Sequence, residues 1–150
     1  MEYHTSEGIV LKKIPYGEYD ALYSIYTKEF GKIRARAQGV KKEGAKLKSH
    51  LEPLSLVNVT FVLGKQGERL THGTMIRFFE SMRQNKEKLF AGLRIAALMD
   101  EKIFSGQKDE GLWDLLLESL LVLDEHEFSG EVFQRFSHRF TPFLGLHENL

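Results

Sequence analysis

Hydrophobic and polar positions alternate along the first half of the chain and recur with a helical period along the second. In "GKIRARAQG", residues 31 to 39, Ile33, Ala35 and Ala37 alternate strictly with Lys32, Arg34, Arg36 and Gln38. A period of two sends the two sets to opposite faces of a strand, one apolar and one cationic. Residues 7–14, 20–27, 54–63 and 68–79 also read as strands, rich in β-branched and aromatic residues, with Gly17, Gly31, Gly39, Gly64 and Gly67 near the strand ends. Five short strands in the first 80 residues predict a small barrel or sandwich.

Beyond Phe79 the period changes. Leu89, Leu93, Ala96, Ala97 and Ile103 mark one helical face, and Leu112, Leu115, Leu116, Leu120 and Leu123 a second. Val132, Phe133, Phe136, Phe140, Phe143 and Leu144 mark a third. Ser81 with Gln84, or Asn85 alone, is placed to cap the first helix, Asp109 the second and Ser129 the third. Amphipathic helices of this length bury their stripes against one another, which predicts a helical bundle. The expected organisation is all-β followed by all-α, with a β domain over residues 1–80 and a helical domain over 81–150.

Charge sharpens this division. The 150 residues hold 21 Lys plus Arg and 21 Asp plus Glu, so the chain is neutral as a whole. Residues 1–79 nevertheless carry 13 basic and 8 acidic side chains, a net +5, and residues 80–150 carry 8 and 13, a net −5. Such asymmetry between halves points to a polyanion-binding half joined to something else. The absence of cysteine excludes disulfides, Cys-ligated zinc, iron–sulfur clusters and thiol chemistry from this stretch of chain. "MEYHTSEGIV" has no basic segment before an apolar run and does not resemble a signal peptide. The most apolar run, "LWDLLLESLLVL", is interrupted by Asp114 and Glu118. A cytoplasmic location, associated with the nucleoid, is expected.

Catalysis leaves no trace in the pattern. No pair of acids sits in an apolar setting suited to acid–base work. His4, His50, His72, His126, His138 and His147 are scattered, without metal-ligand spacing. "GKQG" at 64–67 reads as a hairpin turn, because it lacks the full phosphate-loop pattern. Neither an enzyme, a metal site nor a cofactor is expected.

The basic stretch is more informative. Residues 32–48 hold seven Lys or Arg and one acid. Lys32, Arg34 and Arg36 fall on one strand face, Lys41, Lys42, Lys46 and Lys48 on the loop after it, and Lys12 and Lys13 on a neighbouring strand. Converging, these cations would form a stripe for the phosphates of a nucleic acid. Tyr16, Tyr23 and Tyr26 are interleaved with them as candidates for stacking on bases, against the alternative that strand alternation sends them into the core. Five phosphate contacts to a single strand imply a salt slope of about −3.5, a loss of roughly a hundredfold in affinity between 50 and 200 mM salt. Nothing resembles a recognition helix, so weak sequence preference is expected.

"SEGIVLKKIPYGEYDALYSIYTKEFGKIRARAQGVKK", followed by "LEPLSLVNVTF", resembles the N-terminal domain of RecO-type DNA repair proteins. The family's ordered set is present as Glu7 to Lys12, Tyr16 to Glu18, Thr27 with Gly31 to Ile33, Lys41 with Lys42, and Leu51 to Pro53. The likeness continues more loosely through the helices to "FTPFLGL". It implies a five-stranded OB-fold barrel followed by a helical bundle, in a recombination mediator that binds single- and double-stranded DNA and anneals complementary strands. It also implies work with RecR and with single-stranded DNA-binding protein in loading RecA at gaps. Carried over residue by residue, its DNA-binding role falls on Lys32, Arg34, Arg36, Lys41 and Lys42. The docking site for the acidic, apolar tail of single-stranded DNA-binding protein is implied in the helices, where charge alone nominates Arg94, Arg135 and Arg139. Many relatives are longer and carry a Cys-ligated zinc module in the helical region; this chain stops at "LGLHENL", about where its first cysteines would come. Functions that rest on that segment, part of the RecR contact among them, are not carried over. Two other readings share the same residues: an adaptor whose basic loop meets an acidic peptide, and an RNA-binding barrel.

Overall fold

The computed structural model describes residues 2–39, 51–65 and 67–148. The chain divides into two compact units, one comprising residues 1–78 together with 104–108, the other 79–103 and 109–150.

The first unit is a closed five-stranded barrel with strand order β1-β2-β3-β5-β4. Its strands are β1 (Tyr3–Tyr16), β2 (Asp20–Thr27), β3 (Gly31–Ala37), β4 (Leu56–Gly64) and β5 (Gly67–Arg77). β1 starts earlier than the alternation predicts because its first residues find a partner in β4. It pairs with β4 from Tyr3 to Ile9 and with β2 from Gly8 to Tyr16, all antiparallel. A register shift between Val10 and Lys12 lies within the β2-paired part; such a bulge bends a strand and increases its twist, which helps one long strand to serve two neighbours. Closure comes from a short parallel contact between β3 and β5, Ala35 opposite Glu68 and Arg36 opposite Arg69. β4 and β5 form a hairpin in which Gly64 pairs with Gly67.

The apolar face of β3 does enter the interior. Ile33, Ala35 and Ala37 pack with Val10, Tyr23, Ile25, Leu51, Val57, Val59, Phe61 and Leu70. Small Ala35 and Ala37 leave room for the Tyr23 and Phe61 rings, as a barrel lumen of this size requires. Residues 104–108 belong to this unit through backbone contacts. Gly106 N–H donates to the Lys32 carbonyl at 2.8 Å, and the Tyr26 hydroxyl donates to the Gln107 carbonyl at 3.1 Å.

The second unit holds α1 (Glu80–Gln84), α2 (Lys86–Lys102), α3 (Glu110–Glu125) and α4 (Glu131–Glu148). Asn85, in an extended conformation, ends α1 and caps α2, its side chain accepting from the N–H groups of Glu87 and Lys88. Asp109 accepts from Leu112 N–H and Ser129 Oγ from Glu131 N–H, so the capping residues read from the sequence sit where the orphan donors are. The Asp124 carboxylate accepts from Met82 N–H at 2.9 Å and ties α1 to α3. The α3 face is as expected, with Leu112, Leu115, Leu116, Leu120 and Leu123 all buried, joined by Trp113. The α2 face is a correction: its buried residues are Lys88, Ala91, Gly92, Ile95, Ala96 and Met99, while Leu93 and Ala97 are exposed. Small Ala91, Gly92 and Ala96 allow close helix approach, and this outweighs the larger leucines about one position round the helix. No helix among the described residues is long and apolar enough to cross a membrane.

Candidate nucleic-acid interface

The outer surface of the barrel is set by register. Lys12 of β1 lies opposite Ser24 of β2, and Ser24 lies opposite Arg34 of β3. Partners across a sheet share a face, so Lys12 and Arg34 project on the same side, about 10 Å apart across two strand spacings. Both are exposed, and Ser24 between them is small and buried. Neither has an ion-pair partner among the described residues.

Two residues further along β3, Arg36 lies opposite Leu22 on one side and Arg69 of β5 on the other. Its guanidinium lies 5.4 Å from the ring centroid of exposed Tyr16, and its Nε is 3.3 Å from Asp20 Oδ2. Asp20 also accepts from Gly39 N–H at 2.9 Å, which pins the end of β3. Arg36 is therefore partly neutralised and held in place, whereas Arg34 is free to meet a ligand.

Several residues read as contacts are placed elsewhere. Lys32 is only 8% exposed, because residues 104–108 run over its end of β3 and Ser105 bridges to it. Tyr26, its register partner, is covered by the same segment and buried. Lys13 pairs with Tyr23 and turns to the face opposite Lys12, its ammonium 5.9 Å from the Tyr23 ring centroid. Tyr23 itself lies in the barrel core and offers no ring face to a base. Of the three stacking candidates only Tyr16, half exposed beside Arg36, is on the surface. Lys41, Lys42, Lys46 and Lys48 lie outside the described residues. Arg69 escaped the sequence reading, since only the parallel register of β3 and β5 brings it beside Arg36.

Burial pushes the Tyr23 phenol up to about 12, with the Glu52 carboxylate adding to the shift. Its hydroxyl is buried without a hydrogen-bond partner among the described residues. The unfolded chain ionises this group near its ordinary value of 10, so between pH 10 and 12 the folded state binds one more proton than the unfolded state. Stability therefore falls as pH rises through that window, by about 3 kcal/mol from this residue. Tyr23→Phe is expected to leave stability at pH 7 unchanged or raised by about 1 kcal/mol, and to flatten the alkaline decline, both measurable by urea unfolding at pH 7 and pH 11.

In the helical unit, the charge-nominated arginines do not form one site. Arg94 lies 3.8 Å from the ring centroid of Phe133 and lines a groove of about 400 Å³ with Gln134, Ser137, His138 and Thr141. Arg135 and Arg139 line a separate cleft of about 70 Å³ with Leu115, Val122 and Phe136.

A closed five-stranded barrel with outward cations on neighbouring strands, joined to a helical unit, defines the class: an OB-fold protein with a helical extension. The family model described as "Recombination protein O N terminal" matches residues 1–79. The chain is 30% identical over 132 residues to the DNA repair protein RecO of Gloeobacter violaceus, covering 86% of this chain and 51% of that protein. It is 29% identical over 127 residues to DNA repair protein RecO of Rubrobacter xylanophilus, covering 85% and 51%. With that of Moorella thermoacetica it shares 30% identity over 145 residues, covering 97% and 54%. The chain belongs to the RecO family of DNA repair proteins, and it spans about half the length of the curated relatives it matches.

Proposed function

We propose that this barrel binds DNA, single- or double-stranded, along the outer face of β1, β2 and β3, as the DNA-contacting part of a recombination mediator that anneals complementary strands. The observation that carries the reading is the Lys12–Ser24–Arg34 register, which sets two exposed cations from different strands, neither with an ion-pair partner among the described residues, on one outer face, continued by Arg36 and Arg69. Annealing follows from electrostatics: cations that screen phosphate repulsion lower the cost of bringing two strands together. An interface made of phosphate contacts, with Tyr16 as a sequence-tolerant stacking surface, has weak sequence preference.

The finer roles rest on the same family membership. Work with RecR, and assistance to RecA loading, are proposed for the whole protein of which this family is the type. In the helical unit, the Arg94–Phe133 groove offers a cation beside an aromatic ring. That combination suits the acidic, apolar C-terminal tail of single-stranded DNA-binding protein better than the narrow Arg135 and Arg139 cleft.

Fluorescence anisotropy of a labelled single-stranded oligonucleotide across a salt series tests the reading. Four phosphate contacts, from Lys12, Arg34, Arg36 and Arg69, give a slope of about −2.8 or steeper, so affinity drops roughly fiftyfold between 50 and 200 mM salt. Absent binding, or binding indifferent to salt, rejects it. Competition between matched RNA and DNA oligomers separates DNA from RNA preference.

A further inference from the structure

The seam where β3 meets β5 has a feature beyond the exposed cation row. The two strands pair in parallel over only two positions, and one of these sets Arg36 directly beside Arg69. Like charges opposite one another destabilise a sheet. Asp20 offsets Arg36, but among the described residues nothing pairs with Arg69. Both arginines line a pocket of about 330 Å³, whose other walls include Gln38, Val62, Leu63 and Lys65.

The chemistry of the walls is divided. Val62, the register partner of Arg69, is 2% exposed and makes an apolar floor; Leu63, 72% exposed, makes an apolar rim. Gln38 supplies an amide, which both donates and accepts. Lys65 stands on the β4–β5 hairpin as a third cation. Against Arg36, Lys65 and Arg69 stand Glu68 in the lining and Asp20 behind Arg36, leaving a net charge of +1. One phosphodiester carries the complementary −1. A planar guanidinium pair suits phosphate oxygens, and the apolar floor with an adjoining amide suits a base and its edge.

We propose that this pocket seats one nucleotide of a bound strand, its phosphate across Arg36 and Arg69 with Lys65 closing from the hairpin, and its base against Val62 and Leu63. The inference rests on the nucleic-acid reading above and adds to it a discrete subsite, on the β3–β5 side of the barrel, that the exposed row alone does not require. It gives the like-charged pair at the barrel closure a role: the ligand phosphate relieves the repulsion, so strand binding and barrel closure support each other.

The test uses a labelled ten-residue oligothymidylate carrying either a 5′-hydroxyl or a 5′-phosphate, with wild type, Arg69→Gln, Lys65→Gln and the outer-row double variant Lys12→Glu, Arg34→Glu. Each pocket variant is expected to weaken binding about fivefold at low salt and to reduce the magnitude of the salt slope by about 0.7. In wild type, thymidine 5′-monophosphate is expected to shift the amide resonances of Leu63, Gly64 and Arg69, and in Arg69→Gln to leave them in place. Equal binding of the two oligonucleotides assigns the phosphate to a strand interior, and tighter binding of the 5′-phosphate form, lost in Arg69→Gln, assigns it to a strand end. Wild-type affinity and slope in both pocket variants, with binding lost in the outer-row variant, overturns the pocket and removes Arg69 from the phosphate contacts, and leaves the DNA reading standing on the Lys12 and Arg34 row. No oligonucleotide binding by the wild type overturns both. Lys65 stands exposed on a hairpin, so Lys65→Gln reports on the pocket even if Arg69→Gln fails to fold.

Discussion

Replacing Lys12 and Arg34 together by glutamate weakens binding of a single-stranded oligonucleotide by about a hundredfold at low salt while the barrel stays folded. Each reversal removes an attraction of the order of 1 kcal/mol and substitutes a repulsion of similar size, before screening. Screening reduces the total of about 4 kcal/mol to about 3, which is the hundredfold. Stability is spared because both side chains point outward over Ser24, and neither takes part in the core or in an ion pair among the described residues. Anisotropy gives the affinity and thermal unfolding gives the control. Near-wild-type affinity in the double variant would remove this row from the interface.

Gly31→Val is expected to cost about 2–5 kcal/mol of folding stability, for two separable reasons. Gly31 has φ +69, where a β-branched residue is strained by roughly 1–2 kcal/mol. A Cβ there would also lie 2.6 Å from the Gln107 carbonyl carbon and 2.8 Å from Lys108 N, and backbone cannot step aside as a flexible side chain does, which adds about 1–3 kcal/mol. Gly17 separates the two terms. Its φ is +70, with nothing within 4 Å of a built Cβ, so Gly17→Val should lose only the conformational part, about 1–2 kcal/mol. Urea unfolding of both variants measures the difference, and equal losses would mean that the 104–108 segment does not press on β3.

The same segment explains where sequence reasoning stopped. Strict alternation in "GKIRARAQG" separates Ile33, Ala35 and Ala37 from the cations, and β3 follows it. Alternation gives the face of a side chain but not what covers that face. Lys32 and Tyr26 point outward, yet residues 104–108, far later in the chain, lie over them. Tyr23 points inward by the same parity that makes Leu22 and Ser24 face out, so its exclusion from stacking was latent in the pattern. Arg69 was out of reach for another reason. The parallel β3–β5 contact joins residues 33 positions apart, and no local periodicity encodes that register. Helix ends were legible because Asn85, Asp109 and Ser129 act on N–H groups two or three residues away. The α2 face was not, since its buried side depends on which small residues a neighbouring helix selects.

Amide chemical-shift mapping with a short single-stranded oligonucleotide locates the ligand on the barrel without altering a residue. The largest perturbations are expected at Lys12, Ser24, Arg34, Arg36 and Arg69, with little change at Asn58 and Thr74 on the exposed face of β4 and β5. Perturbations centred on Asn58 and Thr74, with the Lys12–Ser24–Arg34 row silent, would contradict this placement.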